Sequence, residues 1–268
     1  MSGAALVAAV QLDSQDDVGR NWSTLQDLAR RARDRGAQLI VFPENSLYEG
    51  RDRALRHPLD EWGPRLSELA RELGATLVPG TLREPGPSAE LRYNTLLVYG
   101  PDGSELARYR KIHLFDVDVP GGPSERESAD VAPGPSEPLL VEVEGLGAVG
   151  LTVCYDLRFP ELFRALVGKG ARTVLVPSSF ALGTGKDHWR VLLRARAIEN
   201  QLHVIAPNQI GLKPNGRTRY GKTMIVDPWG DVLAQARDVA GDVVVAELDF
   251  AYQERVRSLL PCLTHRRL

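Results

Sequence analysis

Four apolar runs in this chain leave through a proline, reading VFPE, LVPG, LVPS and IAPN, with Pro43, Pro79, Pro177 and Pro207 at the exits. Proline donates no backbone hydrogen bond, so it ends strand pairing and turns the chain outward at the strand terminus. Strand-like and helix-like segments alternate around these exits, which is the pattern of a layered sheet with helices packed on it. Strands are expected over 5–11, 39–42, 76–78, 173–176 and 203–206, and again over 223–226, 232–236 and 243–248, with DPWG turning between the first two of the last group. A helix capped by Asn21 carries Trp22, Leu25, Leu28, Ala29 and Ala32 at helical spacing and stops at Gly36. Further helices are expected over 64–73, 161–167 and 187–201.

The stretch YNTLLVYGPDGSELARYRK holds two strand-like runs joined at Pro101, Asp102 and Gly103, so it reads as a hairpin. Residues 120–138 are rich in Pro, Gly and Ser and read as a long loop, a kind of segment that tends to be functional. RGAQLIVFPE and KGARTVLVPS resemble each other, which hints at a duplicated unit.

At 268 residues the chain can bury a sizeable core, and it reads as one domain over 1–268. Its 33 basic and 35 acidic residues leave a net charge of −2, with no excess to hold nucleic-acid phosphates. Only Cys154 and Cys262 could pair, which is not the density of a secreted disulfide scaffold, so a reducing compartment is expected. MSGAALVAAVQLDS lacks a basic leading segment and is too short to span a bilayer. It reads as a first strand, and the expectation is a cytoplasmic protein with no membrane partner.

Sheets covered by helices present their functional groups at the carboxyl ends of strands. Glu44 follows LIVFP, Lys111 follows ELARYR and Cys154 follows GLTV. Taken singly, these read as a loop acid, a surface lysine and a small core residue. Together they supply what cysteine acyl transfer needs: a thiol to attack, a carboxylate to take its proton, and a cation to hold the oxyanion and favour the thiolate.

Other chemistries find less in the sequence. Histidines stand at 57, 113, 188, 203 and 265 without the helical pair of a zinc protease, and a metal on HLFDVD would be a poor fit, so no metal is expected. A papain-like pairing of Cys154 with His113 or His203 stays open as the mechanistic rival. GTGKD fails the phosphate-loop pattern, and there is no G-x-S-x-G elbow. Cys262 reads as a packing or subunit-contact residue.

FPEN at 42–45, YRKIHLFD at 109–116 and CYDLRFPEL at 154–162 together resemble the three signature motifs of the nitrilase superfamily, the carbon–nitrogen hydrolases. The similarity continues through PGPSEP, SSFALGTGKDHWRVLLRARAIENQ, YGKTMIVDPWG and the terminal HRRL, so it covers nearly the whole chain. The resemblance implies an α/β fold, a four-layer α-β-β-α sandwich of two mixed sheets, doubled by assembly into a homodimer or higher homo-oligomer. It implies Glu44 as general base, Lys111 as stabiliser of the oxyanion and intermediate, and Cys154 as nucleophile, with the Tyr155 amide completing the oxyanion hole. A second acid falls on Glu127, with Glu125 as the nearby alternative. The implied chemistry is attack on an amide carbonyl, loss of ammonia or an amine, and hydrolysis of the thioester by water, with no cofactor.

Within the superfamily, CYDLRFPEL followed by Phe180 and Thr184 is most similar to the deaminated glutathione amidases, where the equivalents of Arg158, Phe180 and Thr184 line the pocket for an α-keto acid end. Arg158 can meet a substrate carboxylate with a two-pronged hydrogen bond, or else an internal acid such as Asp156 or Glu161. The omega-amidases, acting on α-ketoglutaramate and α-ketosuccinamate, are the alternative, ahead of nitrile hydrolysis. A non-enzymatic binding module of the same fold would have no reason to keep Glu44, Lys111 and Cys154 together.

Overall fold

The computed structural model describes residues 4–51, 59–119 and 124–267; His57, residues 120–123 of the expected loop and Leu268 lie outside them. The chain runs through β1 (Ala4–Gln11), α1 (Val18–Asp34), β2 (Leu39–Val41), α2 (Leu59–Leu73), β3 (Thr76–Val78), β4 (Thr81–Pro85), β5 (Arg92–Tyr99), β6 (Glu105–Arg110), β7 (Asp116–Asp118), β8 (Ser124–Arg126) and β9 (Val131–Ala132). It continues through β10 (Leu140–Val143), β11 (Gly147–Leu151), α3 (Pro160–Gly168), β12 (Thr173–Leu175), α4 (Leu182–Asn200), β13 (His203–Ala206), β14 (Ile210–Leu212), β15 (Thr218–Tyr220), β16 (Met224–Val226), β17 (Val232–Gln235), β18 (Asp242–Asp249) and α5 (Phe250–Leu259).

Two large mixed sheets result, one ordered β18-β1-β2-β3-β5-β4 with β6 and β9 also on β5, the other β10-β11-β12-β13-β16-β17. In each, a parallel trio is flanked by antiparallel strands: β1, β2 and β3 in the first, β11, β12 and β13 in the second. The two similar stretches, RGAQLIVFPE and KGARTVLVPS, therefore supply the middle strand of each trio.

Successive strand side chains point to opposite faces, and here both faces are covered. Ala5, Val7, Ala9, Leu39 and Val41 meet Val149, Leu151, Val174 and Val204 in the core that joins the sheets. Ala8, Val10, Ile40 and Leu77 instead pack with Leu25, Leu28 and Ala29 of α1 and Leu66, Leu69 and Ala70 of α2. Phe163 and Leu166 of α3, with Trp189 and Leu193 of α4, close the other side. Burial on both faces explains why these strands read as continuous apolar runs rather than as alternations. The architecture is the expected α-β-β-α sandwich.

The structure moves several expected boundaries. Asp17 caps α1, its side chain accepting from the Arg20 amide at 3.0 Å, while Asn21 lies inside the helix, buried, donating to the Gln15 and Leu47 carbonyls at 2.9 Å each. α2 begins at Leu59, so Pro64 stands inside it rather than at its start. α4 begins at Leu182 and absorbs GTGKD into its first turns. The expected loop over 120–138 holds β8, the 3-10 turn Glu127–Ala129 and β9, because β9 pairs with β5 and anchors the segment. The β14–β15 hairpin and α5 carry no strong sequence signal and were not anticipated.

The proline exits also fasten the loops beyond the strands. The Pro177 carbonyl accepts from the Cys154 amide and the Pro207 carbonyl from the Ser178 amide, each at 2.9 Å, and the Pro79 carbonyl accepts from the Ser46 hydroxyl. Gly80, at φ +86°, passes so close to the Pro43 carbonyl that any Cβ would collide with it. The turn bearing Glu44 is thereby pinned from below.

Candidate active site

Glu44 stands just past β2, Lys111 just past β6, and Cys154 opens the 3-10 turn Cys154–Arg158 after β11. Cys154 has φ +50°, a left-handed conformation that costs a residue with a Cβ about 1–2 kcal/mol. The Cys154 amide bond to Pro177 holds that kink, and the kink lifts the thiol from the strand end into a cavity.

Below the thiol lies a cluster of charges. Lys111 exposes 2% of its side chain and donates from Nζ to Glu44 Oε1 at 3.1 Å and to Glu127 Oε2 at 2.8 Å. Asn94, buried in β5, donates from Nδ2 to the same two carboxylates, at 2.8 Å to Glu44 Oε1 and 3.2 Å to Glu127 Oε1. The Ser179 amide donates to Glu44 Oε2 at 3.0 Å and the Phe115 amide to Glu127 Oε2 at 2.8 Å. Both carboxylates are thus fixed on the same ammonium and the same amide.

The electrostatics follow from burial and these partners. Burial by itself would discharge the Lys111 ammonium, but Glu127 and Glu44 beside it raise its pKa above the ordinary lysine value. Burial would likewise raise Glu127, and Lys111 first and Arg83 second more than reverse this, holding the carboxyl well below the carboxylate range. Cys154 goes the other way. Burial and then the Glu44 charge push the thiol well above its ordinary value, and Lys111 offsets only part of this. The cation favours the thiolate as expected, but burial and the Glu44 charge outweigh it, so the thiol needs a base when it reacts.

These groups open on a cavity of about 100 Å³. Its wall contains all eight residues singled out in the sequence: Glu44, Lys111, Glu127 and Cys154, and also Tyr155, Arg158, Phe180 and Thr184. Tyr155 is the second residue of its 3-10 turn, so its amide has no acceptor behind it within the turn. Among the described residues Arg158 makes no ion pair. Asp156 is already occupied by the Tyr109 hydroxyl at 2.7 Å, the His113 ring at 2.7 Å and the Val153 amide at 2.8 Å. The Arg158 guanidinium lies over Phe180 at 5.1 Å, with His188 Nδ1 at 3.2 Å. Glu125 also reaches the wall, but paired to Arg217 at 2.8 Å and Arg219 at 3.5 Å rather than to Lys111.

Neither histidine of the rival pairing reaches the thiol. His113 is held on Asp156 and stacks on Phe159 at 3.6 Å between centroids, and His203 is buried in β13 against Phe250.

Sequence reasoning missed Asn94, Ser179, Arg83 and the buried Glu49, which accepts from Ser179 Oγ at 2.5 Å and from Arg219 Nε at 2.7 Å. A signal for Asn94 existed: it is a polar residue where YNTLLVY becomes a buried strand, and such a residue must find partners.

With this fold and geometry in view, the comparisons place the molecule. The family model for carbon–nitrogen hydrolases matches residues 6–258, and the chain belongs to that family. It is 39% identical to the deaminated glutathione amidase of Synechocystis sp. over 269 residues, covering 97% of each chain. Among solved structures it is similar to Saccharomyces cerevisiae Nit3, a member of branch 10 of the nitrilase superfamily, at TM-score 0.84 and 30% identity, covering 99% of this chain and 97% of that one. It is also similar to an amidase mutant from Nesterenkonia sp. AN1 that carries the acetamide moiety of fluoroacetamide on its active-site cysteine, at TM-score 0.77 and 28% identity, covering 96% and 95%.

Proposed function

We propose that this hydrolase acts on the amide bond of a small α-keto acid amide, deaminated glutathione above all, through a thioester on Cys154. The observation that carries the reading is a kinked, buried thiol above a lysine that holds two carboxylates, all on one cavity. Arg158, inside that cavity and without a carboxylate partner among the described residues, supports an acidic acyl group.

Glu44 accepts the thiol proton as the sulfur of Cys154 attacks the amide carbonyl, and the oxyanion that forms is held by Lys111 and the Tyr155 amide. Collapse of the adduct expels the amine, protonated from the acid that Glu44 has become. Ammonia leaves if the substrate is an ω-amide, and a peptide-like amine if it is deaminated glutathione. Glu44, ionised again, takes a proton from water, and the hydroxide cleaves the thioester to leave a free acid and the thiol. Glu127 fixes Lys111 and helps to position the substrate. Phe180 and Thr184 shape the acyl end.

Purified protein incubated with deaminated glutathione, α-ketoglutaramate and an aliphatic nitrile tests the proposal. Faster release of product from deaminated glutathione is expected. Turnover of α-ketoglutaramate alone assigns the omega-amidase reading, and no turnover of any amide leaves the binding-module reading. A homodimer or larger assembly in the cytoplasm belongs to the same proposal. Leu259, 83% exposed at the end of α5, offers an apolar surface for a partner copy, and two free thiols suit a reducing compartment; sedimentation velocity reads the assembly. Among the described residues no helix is long and apolar enough to cross a membrane.

A further inference from the structure

The cavity wall carries five cations, and three of them are answered by carboxylates. Lys111 has Glu44 and Glu127, Arg219 has Glu49 and Glu125, and Arg217 has Glu125. Two guanidiniums have no carboxylate in ion-pair contact among the described residues: Arg158, described above, and Arg83. Arg83 sits on β4, directly across from Asn94 of β5. A guanidinium has five N–H donors. Arg83 makes one long hydrogen bond, Nη2 to Asn45 Oδ1 at 3.5 Å, and its Nη1 is shielded from solvent with no acceptor. Its charge reaches Glu127 and helps to keep that carboxyl ionised, yet that leaves its hydrogen bonds unspent. Shielded donors are nearly always satisfied, and one left open in a cavity wall points to an acceptor that arrives from outside.

The two open arginines come from opposite halves of the molecule. Arg158 follows β11 of the six-stranded sheet and lies over Phe180, while Arg83 belongs to the eight-stranded sheet beside Asn45. Cys154, and so the carbonyl it attacks, belongs to the same wall of the cavity as both. A substrate that satisfies both arginines carries two acid groups, and with one on the acyl half at Arg158 the other falls to the leaving amine. We propose that Arg83 forms a second anion subsite, which takes the carboxylate at the far end of the leaving amine, as in a peptide with a free C-terminus, while Arg158 takes the acid of the acyl half. This rests on the amidase reading above and narrows it to amides that are dianions. A primary ω-amide, whose leaving group is ammonia, has nothing to place on Arg83.

The experiment compares wild type, Arg83→Gln and Arg83→Lys on two substrates: deaminated glutathione, and the same molecule with its terminal carboxyl converted to a carboxamide. The expected result is a wild-type preference for the carboxylate form of about 10- to 100-fold in kcat/KM, the range of a charge-assisted two-pronged bond. Arg83→Gln should bring that ratio to about one and Arg83→Lys to an intermediate value. Because the readout is a ratio, any effect of the variants on Glu127 or on folding cancels. A wild type that cleaves both forms equally, or a ratio unchanged by Arg83→Gln, overturns the subsite and leaves the amidase reading standing. A wild type that cleaves neither form, nor α-ketoglutaramate, removes both.

Discussion

Replacing Lys111 by Met removes the cation but keeps most of the side-chain volume. Glu44 and Glu127 would then face each other with only 5% and 12% of their side chains exposed, and with Asn94 as their shared donor. Stripping one partner from a buried ion pair costs about 3–5 kcal/mol, because the remaining charge stays desolvated. An unfolding entropy of about 2.1 cal/mol/K per residue, taken over 268 residues, gives about 0.56 kcal/mol/K. Tm at pH 7.5 should therefore fall by about 5–9 °C.

The pH dependence has a definite sign. In the wild type Glu127 titrates below its unfolded value, so it contributes stability above the unfolded pKa and loses it as pH falls through the folded one. In the variant, burial and like charge without the cation raise at least one of the two carboxyls above the unfolded value. That carboxyl then favours folding below the unfolded pKa and opposes it as pH rises. The gap in Tm between the proteins should be widest at pH 7–8 and close toward pH 4–5, and adding Glu127→Gln to Lys111→Met should restore part of the lost stability at neutral pH. Calorimetric melts across that range, with amide hydrolysis measured in parallel, check both. A variant within about 2 °C of wild type at pH 7.5, or a gap that does not depend on pH, would refute the electrostatic account of this cluster.

Glu44→Gln should lower kcat/KM by about 10²–10⁴, the usual contribution of a general base. Because the Glu44 charge helps to raise the thiol pKa, the same variant should move the pH midpoint of Cys154 alkylation by iodoacetamide downward. Cys154→Ser should abolish the covalent acyl-enzyme seen by intact-protein mass spectrometry after rapid quenching. His113→Ala should reduce kcat/KM by less than about tenfold, since His113 is bonded to Asp156 and lines no part of the cavity; a loss as large as that of Glu44→Gln would revive the cysteine–histidine pairing. Asn94→Asp replaces the shared donor by a third carboxyl. The acid limb of the kcat/KM profile should then move to higher pH, with kcat falling more than KM changes.

What the sequence made legible was whatever one short segment carries by itself. Apolar runs closed by proline marked β2, β3, β12 and β13, and residues placed one step past strand ends marked Glu44, Lys111 and Cys154, because both signals are local. The helix starts were less secure, since Asp17 and Asn21 are equally good caps by type, and only the buried Gln15 and Leu47 carbonyls decide that Asn21 belongs inside α1. The supporting shell was illegible for a deeper reason. Asn94, Ser179 and Arg83 gain their meaning from partners 50, 135 and 38 positions away, and those partners meet only because two sheets with the same strand plan bring their carboxyl ends together. That plan also explains why the site needs both halves. The first sheet supplies the base, the lysine and Asn94, the second supplies the nucleophile and Ser179, and the bond from the Ser179 amide to Glu44 Oε2 is a direct tie between them. A thiol whose pKa is raised by burial can react only if its base is held at a fixed distance across that seam, so the packing of the two sheets is part of the catalytic apparatus rather than a scaffold beneath it.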